Sequence, residues 1–233
     1  MLNALIKTMR PRQWTKNVFI FAALVFDKQL LQVDSFLRTL AGFALFCLIS
    51  SSVYIFNDIA DVDADRQHPE KKNRPIASGK LPVNAAWAAG IVLVLVTCGL
   101  AFLLSPGFEY VIVTYFVLFM AYTKWLKHIP ILDVLILAAG FVLRVHAGVT
   151  LIDVERFSPW LYVVMSLLSL FLGFGKRRAE IALLTHGAGS HRKVLEGYTL
   201  PLLDQYIISF QAPPLWRIRC THFPRPTSLK TTA

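Results

Sequence analysis

Long apolar stretches alternate with short charged segments along most of this chain. Each apolar stretch has about 20 residues, the length that an α-helix needs to cross the hydrocarbon core of a bilayer. The third stretch, AAWAAGIVLVLVTCGLAFLL, has no charged residue, whereas Asp27 and Lys28 interrupt the end of the first. The pattern predicts an all-α polytopic membrane protein with six spans and the start of a seventh. The predicted spans are 17–33, 38–58, 83–104, 108–126, 130–150 and 158–175, and the seventh begins near Thr199.

The composition supports a membrane protein. Of the 233 residues, 55% are hydrophobic and 16% are charged, and the mean hydropathy is +0.54. Soluble domains are nearer a quarter charged. The net charge of +10 does not indicate a nucleic-acid partner, because the cations lie between the apolar stretches. Cys47, Cys98 and Cys220 are too far apart for a disulfide framework or a zinc-binding spacing.

Lysine and arginine are distributed unequally between the alternating loops. The N-terminal segment and the even-numbered loops carry 16 of them, whereas the odd-numbered loops carry only Lys28, Arg38 and Arg156. Cytoplasmic loops of membrane proteins carry an excess of these residues. We therefore predict an integral, multi-pass protein of the cell (inner) membrane, with its N-terminus and its active site on the cytoplasmic side.

The pattern changes after Phe210. Residues 211–233 contain four prolines and four cations and show no helical period. One interpretation is a disordered cytoplasmic tail. The other is a reading-frame shift, because a frame that starts at the third base of the Gln211 codon allows the seventh span to continue; an early stop codon in that frame would exclude it. The predicted division is a membrane domain over 1–210 and an irregular tail over 211–233.

A dense cluster of charges follows the second predicted span, in the stretch NDIADVDADRQHPEKKNRPIASG that begins at Asn57. At about 100° per residue, Asn57, Asp58, Asp61 and Asp65 share roughly one quadrant of a helix, and Asp63 lies opposite. A hard divalent cation would relieve the repulsion within this stripe, and Mg²⁺ prefers such oxygen ligands. These four residues are therefore a predicted Mg²⁺ site. The alternative is a solvated helix end whose charges orient the chain.

Basic residues predict a phosphate site next to this metal site. Arg74 donates bidentate hydrogen bonds of the kind that phosphate accepts, and the proline and glycine that follow it favour a defined turn. Arg144 lies within the fifth predicted span, where arginine is costly and usually faces a cavity or a partner. Asp133 lies three turns away on that helix and is too far to be this partner. We predict that Arg144 faces a cavity.

Three motifs resemble the UbiA-type intramembrane prenyltransferase superfamily. NDxxDxxxD at 57–65 resembles its first aspartate-rich signature, and RPIASG at 74–79 and YTKWLK at 122–127 are also similar. The resemblance extends from about residue 8 to 210. It implies a UbiA-like helical bundle of nine spans, of which about six to seven are present here, so that the domain is truncated at its C-terminus. It also implies an isoprenoid diphosphate bound through Mg²⁺ in a central cavity.

The loop after the sixth predicted span departs from the superfamily pattern. It lacks a second aspartate-rich signature, and its acids are Glu180 and Glu196. The chain resembles the decaprenyl-phosphate phosphoribosyltransferase branch of the superfamily. Three features carry this resemblance: the missing second signature, the motif RPRQWTKN that begins at Arg10, and the motif RVHAG around Arg144. That branch transfers 5-phosphoribose from phosphoribosyl diphosphate to a polyprenyl phosphate. A donor with a diphosphate and a separate 5-phosphate suits one acidic and one basic cluster.

The resemblance implies a Mg²⁺-dependent membrane glycosyltransferase whose partners are phosphoribosyl diphosphate, a polyprenyl phosphate lipid and the bilayer. It allows a homo-oligomer and, as in relatives, a product used in cell-envelope synthesis. Asp58, Asp61 and Asp65 are the implied catalytic residues and, with Asn57, hold Mg²⁺ on the donor diphosphate. The ionised lipid phosphate attacks without a general base, so catalysis rests on positioning and electrostatics. The implied substrate-binding residues are Lys16, Asn17, Arg74, Tyr122, Lys127, Arg144, Lys176, Arg177 and Glu180.

Several alternatives stay open. Tyr122 is an interfacial aromatic or a phosphate ligand. Glu180 forms an i,i+4 pair with Lys176, orients that lysine on the sugar phosphate, or binds a ribose hydroxyl. An aromatic-acceptor polyprenyltransferase of the quinone or haem precursor type is the alternative function, although it would need acids after the sixth span. A transporter would show inverted repeats, which are absent here. The third alternative is an inactive truncated remnant.

Overall fold

The regular structure of the chain is helical. The computed structural model describes residues 1–154, 159–185 and 193–210 and has no strand within them. The α-helices are α1 (Leu2–Met9), α2 (Ala22–Phe26), α3 (Val33–Ala60), α4 (Val62–Gln67), α5 (Val83–Leu104), α6 (Pro106–Lys124), α7 (Leu132–Val149), α8 (Pro159–Thr185) and α9 (Leu200–Phe210). The 3₁₀ segments in the described ranges are Pro11–Phe21, Lys71–Asn73, Leu126–His128 and Lys193–Gly197.

Five of these helices, α3 and α5 to α8, are long and apolar enough to cross a membrane. They correspond to the second to sixth predicted spans, and the prediction of an all-α polytopic membrane protein is confirmed. Burial separates the central helix from the peripheral ones: 67% of the apolar window of α3 is buried, against 17% for α5. Thus α3 forms the middle of the bundle and α5 presents most of its surface to lipid.

The predicted first span, 17–33, does not form one continuous helix. The chain instead forms the 3₁₀ segment Pro11–Phe21, then the short helix α2, and it turns at Lys28, where φ is +58°. The segment nevertheless follows α3 in the antiparallel direction. Trp14 Nε1 donates to Ser51 Oγ at 3.0 Å near one end, and Gln29 accepts a hydrogen bond from Ser35 near the other. The two serines are about 24 Å apart along the helix axis.

The seventh predicted span corresponds to α9, which begins at Leu200 and has 11 described residues. Several sequence-based expectations lie outside the residues that the structure describes. They concern the loop cations Arg156 and Arg192, the side chains of Lys193 and Glu196, and the tail 211–233, so the division of the chain at residue 210 stays a prediction.

The cation-rich loops lie at one end of the bundle. The ion pair between Lys127 and Asp61, 2.5 Å between Nζ and Oδ1, joins the turn after α6 to the end of α3. At the opposite end, Ser105 Oγ donates to the carbonyl oxygen of Thr150 at 3.0 Å. Ser105 also caps α6, since its side chain accepts from the Phe108 backbone amide and Pro106 follows at the first helical position. The alternation of ends agrees with the predicted topology.

Candidate functional site

A cavity of about 1010 Å³ lies at the end of the bundle where the cation-rich loops meet. Phe119, Leu137 and Phe141 from α6 and α7 form part of its apolar wall. Seven of its lining residues are Lys or Arg and three are Asp or Glu, so an anionic ligand is favoured. The charged lining residues are Arg10, Lys16, Lys71, Arg74, Lys127, Arg144, Lys176, Asp61, Asp65 and Glu180.

Ten of the thirteen predicted site residues line this cavity. Asp58, Asn17 and Arg177 do not; they lie behind its wall. The ten are Lys16, Asn57, Asp61, Asp65, Arg74, Tyr122, Lys127, Arg144, Lys176 and Glu180.

The acidic stripe spans a break between two helices. Helix α3 ends at Ala60, Asp61 has φ −97° and ψ 7°, and α4 begins directly afterwards. Asp61 Oδ1 accepts from Lys127 Nζ at 2.5 Å, and Asp61 Oδ2 accepts from Asn57 Nδ2 at 3.3 Å. Thr123 Oγ1 donates to Asn57 Oδ1 at 3.4 Å. The end of α6 and the turn after it therefore hold Asp61 and Asn57 in place.

Arg74 links two acids of the stripe. Its Nη1 atom donates to Asp65 Oδ2 at 2.6 Å and to Asp58 Oδ1 at 3.2 Å. Asp58 Oδ1 also accepts from Arg10 Nη2 at 2.5 Å, and the Arg10 guanidinium stacks over the Tyr54 ring at 4.9 Å. We call Asp61, Asp65, Arg74 and Lys127 the acid–base pole of the cavity.

Asp58 is separated from the rest of the stripe. It is 3% exposed and lines a smaller pocket of about 250 Å³. Its ion pairs with Arg10 and Arg74 hold its carboxylate behind the wall of the larger cavity. Asp63, predicted to lie outside the stripe, has an 85% exposed side chain and pairs with Arg66 at 3.2 Å.

Arg144 carries a buried positive charge in α7. Its Nε donates to Asn17 Oδ1 at 2.8 Å, its Nη1 to the Gly140 carbonyl at 2.5 Å and its Nη2 to Tyr115 Oη at 3.0 Å. No acid pairs with it among the described residues. The prediction that Arg144 faces a cavity holds, and Asn17, predicted to bind substrate, orients this guanidinium from behind.

Lys16 and Lys176 also line the cavity, from the 3₁₀ segment and from α8. Within the described part of the chain, neither amine has a hydrogen bond or an ion pair. Burial lowers the pKa of Lys16, and the charges of Arg144, Lys176 and Arg10 lower it further. We call Lys16, Arg144 and Lys176 the cation pole. These charges repel one another, so a bound anion would stabilise them.

Arg177, predicted to bind substrate, belongs to α8 and is 2% exposed. Its side chain points towards α7. Its Nε donates to Asp133 Oδ2 and its Nη1 to Glu180 Oε2, both at 2.7 Å. Asp133 thus pairs with Arg177 and not with Arg144. Glu180, for which an i,i+4 pair with Lys176 was one prediction, pairs with Arg177 instead and remains in the cavity wall.

The oxygen donors at the acid–base pole suit magnesium. Asn57, Asp61 and Asp65 supply hard oxygen atoms to one cavity. The described residues include no cluster of three or more His, Cys, Asp or Glu that could hold a metal ion by itself. Mg²⁺ usually binds one or two carboxylates together with substrate phosphates and water. The donor set therefore fits a metal that arrives with a phosphorylated substrate.

Sequence reasoning missed several residues of the cavity wall. Arg10 belongs to the quoted RPRQWTKN motif and Lys71 to the charged stretch after the second span, so local charge could have indicated both. Tyr115, which accepts from Arg144, carries no such signal, because an aromatic residue inside an apolar span resembles any core residue.

The profile of the UbiA prenyltransferase family matches residues 18–179. Decaprenyl-phosphate phosphoribosyltransferase of Corynebacterium glutamicum is 37% identical over 206 residues, which cover 84% of this chain and 60% of that protein. The protein of the same name from Mycolicibacterium smegmatis is 36% identical over 207 residues, covering 85% of this chain and 64% of that protein. The chain thus spans less than two thirds of the length of these relatives.

A solved structure shares the fold. The UbiA homolog from Archaeoglobus fulgidus, bound to DMAPP and Mg²⁺, superposes with a TM-score of 0.68 over 88% of this chain and 75% of that one. The sequence identity is 17%, so the likeness concerns the helical architecture alone.

Proposed function

The chain belongs to the UbiA prenyltransferase family, and we propose that it transfers 5-phosphoribose from phosphoribosyl diphosphate to a polyprenyl phosphate of the decaprenyl type. Two relatives that are 36–37% identical are named for this reaction. Pyrophosphate is the leaving group, and Mg²⁺ is the required metal. The UbiA homolog solved with Mg²⁺ supports the use of a divalent cation.

The observation that carries the proposal is the presence of two differently charged poles in one cavity. The acid–base pole pairs Asp61 with Lys127 and Asp65 with Arg74, which suits a metal-bound diphosphate. The cation pole has no acid paired to it among the described residues, so it suits a phosphate that carries no metal. A donor with a diphosphate and a 5-phosphate satisfies both poles.

At the acid–base pole, the carboxylates of Asp61 and Asp65 would hold Mg²⁺ together with the side-chain amide oxygen of Asn57. When bound, this ion neutralises the charge that develops on the pyrophosphate leaving group. Arg74 and Lys127 are the cations next to these acids, so they are also placed to bind oxygens of the diphosphate. Catalysis then depends on charges that are already oriented before the substrate binds.

The bond changes need no general base. An oxygen of the lipid phosphate attacks C1 of the ribose, the bond from C1 to the diphosphate oxygen breaks, and the electron pair leaves with pyrophosphate. Because the lipid phosphate is already ionised, no proton is removed. Phe119, Leu137 and Phe141 offer an apolar wall for the first isoprene units. The residues of the chain therefore orient the reactants and exclude water.

The proposed location is the inner membrane of the cell. We propose that the N-terminus and the cavity face the cytoplasm, because the loops that carry most of the cations meet at the end of the bundle where the cavity lies. The water-soluble donor and the lipid phosphate would then meet at the membrane boundary. A homo-oligomer stays a prediction.

An assay with two alternative pairs of substrates tests this function against the aromatic-acceptor alternative. Membranes that contain the 233-residue chain receive Mg²⁺ and either phosphoribosyl diphosphate with polyprenyl phosphate, or a prenyl diphosphate with an aromatic acid. We expect product only in the first reaction, because Glu180 is the sole acid within residues 159–185 and no second acidic cluster is present there. Prenylated aromatic product without phosphoribosyl lipid would overturn the proposal.

A further inference from the structure

A continuous series of hydrogen bonds joins the start of α7, helix α8 and the segment before α9. The Ile131 backbone amide donates to Tyr198 Oη, and Tyr198 Oη donates to Asp133 Oδ1, both at 2.5 Å. Arg177 Nε donates to Asp133 Oδ2, and Arg177 Nη1 donates to Glu180 Oε2, both at 2.7 Å. The series begins at a backbone amide and ends at the cavity wall.

The inner members of this series are buried. Asp133 is 0% exposed and Arg177 is 2% exposed, so each depends on the other for its charge to be satisfied. Burial, and then the hydrogen bond to Asp133, raises the pKa of Tyr198, which keeps its phenol protonated as a donor. Ile131 has φ +69°, which is strained for a β-branched residue. Such strain persists only where the surrounding contacts hold it.

Glu180 is the member that reaches a ligand. Its side chain is 29% exposed and lines the cavity. One carboxylate oxygen, Oε2, accepts from Arg177, and the other has no partner among the residues that the structure describes. A carboxylate accepts hydrogen bonds and donates none, and dinucleotide-binding proteins use one to bind ribose hydroxyls. The open oxygen therefore suits a hydroxyl group better than a phosphate.

We propose that Glu180 binds the ribose hydroxyls of the donor, and that Tyr198, Asp133 and Arg177 are positioning residues that fix its carboxylate in the cavity wall. The inference rests on the proposed function and names the group that selects a sugar donor. Prenyl diphosphates have no such hydroxyls, so Glu180 contributes nothing to their binding. The acid on α8 thus favours a pentose diphosphate over an isoprenoid one.

The test compares variants of the 233-residue chain in membranes by kcat, the KM for phosphoribosyl diphosphate and the inhibition constant of pyrophosphate. For Glu180→Gln we expect the donor KM to rise by about tenfold to a hundredfold, the loss expected for hydrogen bonds to a charged group. The inhibition constant of pyrophosphate should stay within about twofold, because pyrophosphate has no ribose.

Tyr198→Phe tests the positioning residues. It keeps the ring in the cluster with Val134 and Leu203 and removes only the hydroxyl group. We expect the donor KM to rise by about threefold to tenfold with kcat nearly unchanged. Tyr206→Phe is the matched control, since Tyr206 packs at the same cluster and its hydroxyl makes no hydrogen bond within the described residues. Its kinetics should equal those of the wild type.

The outcomes separate the inference from the proposed function. Equal increases in donor KM and in the pyrophosphate inhibition constant for Glu180→Gln would overturn the inference, because Glu180 would then act on the diphosphate. A Tyr198→Phe variant that melts at a lower temperature but keeps the wild-type KM would show a purely structural role. A wild-type chain that binds pyrophosphate but transfers no phosphoribose would contradict the proposed function itself.

Discussion

Arg144 shows how one residue within a span can define a binding site. A charge at this depth is costly and needs partners. Asn17, Tyr115 and a carbonyl oxygen satisfy its donors but leave its charge uncompensated among the described residues. The Phe46, Tyr115 and Phe141 rings lie 5.0–5.6 Å from it and add cation–π attraction. The guanidinium is therefore held ready for an anion.

Asn17→Asp should weaken this anion site without changing its shape. The new carboxylate would lie about 2.8 Å from Arg144 Nε and would neutralise the charge. We expect the KM for phosphoribosyl diphosphate to rise by about tenfold, as when one charge-assisted contact is lost. Ser50→Ala, which removes a hydrogen-bond partner of Asn17 without adding charge, is the control. An unchanged KM for Asn17→Asp would mean that Arg144 does not bind the substrate.

The lowered pKa of Lys16 predicts how binding of the donor depends on pH. Its pKa lies below the ordinary lysine value of 10.5, so the ammonium loses its proton at a lower pH than an exposed lysine does. The ammonium group is positively charged below this pKa and neutral above it. Because the donor is an anion, its KM should rise as the pH increases through the pKa of Lys16. Lys16→Arg should remove this rise, since arginine remains charged. An identical alkaline rise in both proteins would exclude Lys16 as its cause.

The 3₁₀ segment Pro11–Phe21 is the element that brings Lys16 and Asn17 to the site. It can lie close to α7 because Gly148 has no side chain: a Cβ atom there would be 1.9 Å from the carbonyl oxygen of Ile20. Backbone atoms cannot give way as a flexible side chain can. The position of the segment, and with it the cation pole, depends on this contact.

Gly148→Ala should therefore destabilise the protein. We expect a loss of about 1–3 kcal/mol from overpacking, measured as a lower melting temperature in detergent. Gly99→Ala is the matched control, because it lies in α5 with no neighbouring atom within 4 Å of its Cβ position. The control should be neutral or slightly stabilising. Equal melting temperatures for the two variants would contradict the packing argument.

The elements differ in how far the sequence predicts them. The bounds of α5 match the prediction because its pattern is local: 22 residues without a charge. The 3₁₀ segment was not predicted, because an apolar stretch does not distinguish one helix from two short ones. The break at Asp61 was not predicted, because the helical wheel treats 57–65 as one continuous helix. The helical wheel also grouped Asp58 with the other acids, whereas Arg10, directly after α1, and Arg74, in the loop after α4, hold it behind the cavity wall.

At the scale of the molecule, the site could be predicted wherever charge was unexpected. Acids and cations at the end of an apolar span, or within one, indicated the site, and eight of the ten predicted residues that line the cavity are charged. Pairings could not be predicted, because they join distant positions: Arg177 meets Asp133, 44 residues earlier. Arg177 therefore was assigned to the substrate although it is bound to its own protein.

The orientation of the molecule in the membrane is testable by cysteine labelling. Lys80 and Gln32 are exposed and lie at opposite ends of the bundle. In a background without the native cysteines, we expect Lys80→Cys to react with an impermeant maleimide only in inside-out vesicles, and Gln32→Cys to react in intact cells, since the proposed orientation places the cation-rich end in the cytoplasm. The reverse pattern would contradict the proposed orientation.

In the proposed reaction, one cavity brings a metal-bound sugar diphosphate and a lipid phosphate together. The most direct test is the transfer of radiolabelled phosphoribose into the lipid phase by the 233-residue chain in membranes with Mg²⁺ and polyprenyl phosphate. We expect labelled lipid with the wild type, about a hundredfold less with Asp61→Asn, and unchanged transfer with Asp63→Asn, whose side chain is 85% exposed outside the cavity. Wild-type transfer that survives Asp61→Asn, or no transfer from this donor at all, would contradict the account.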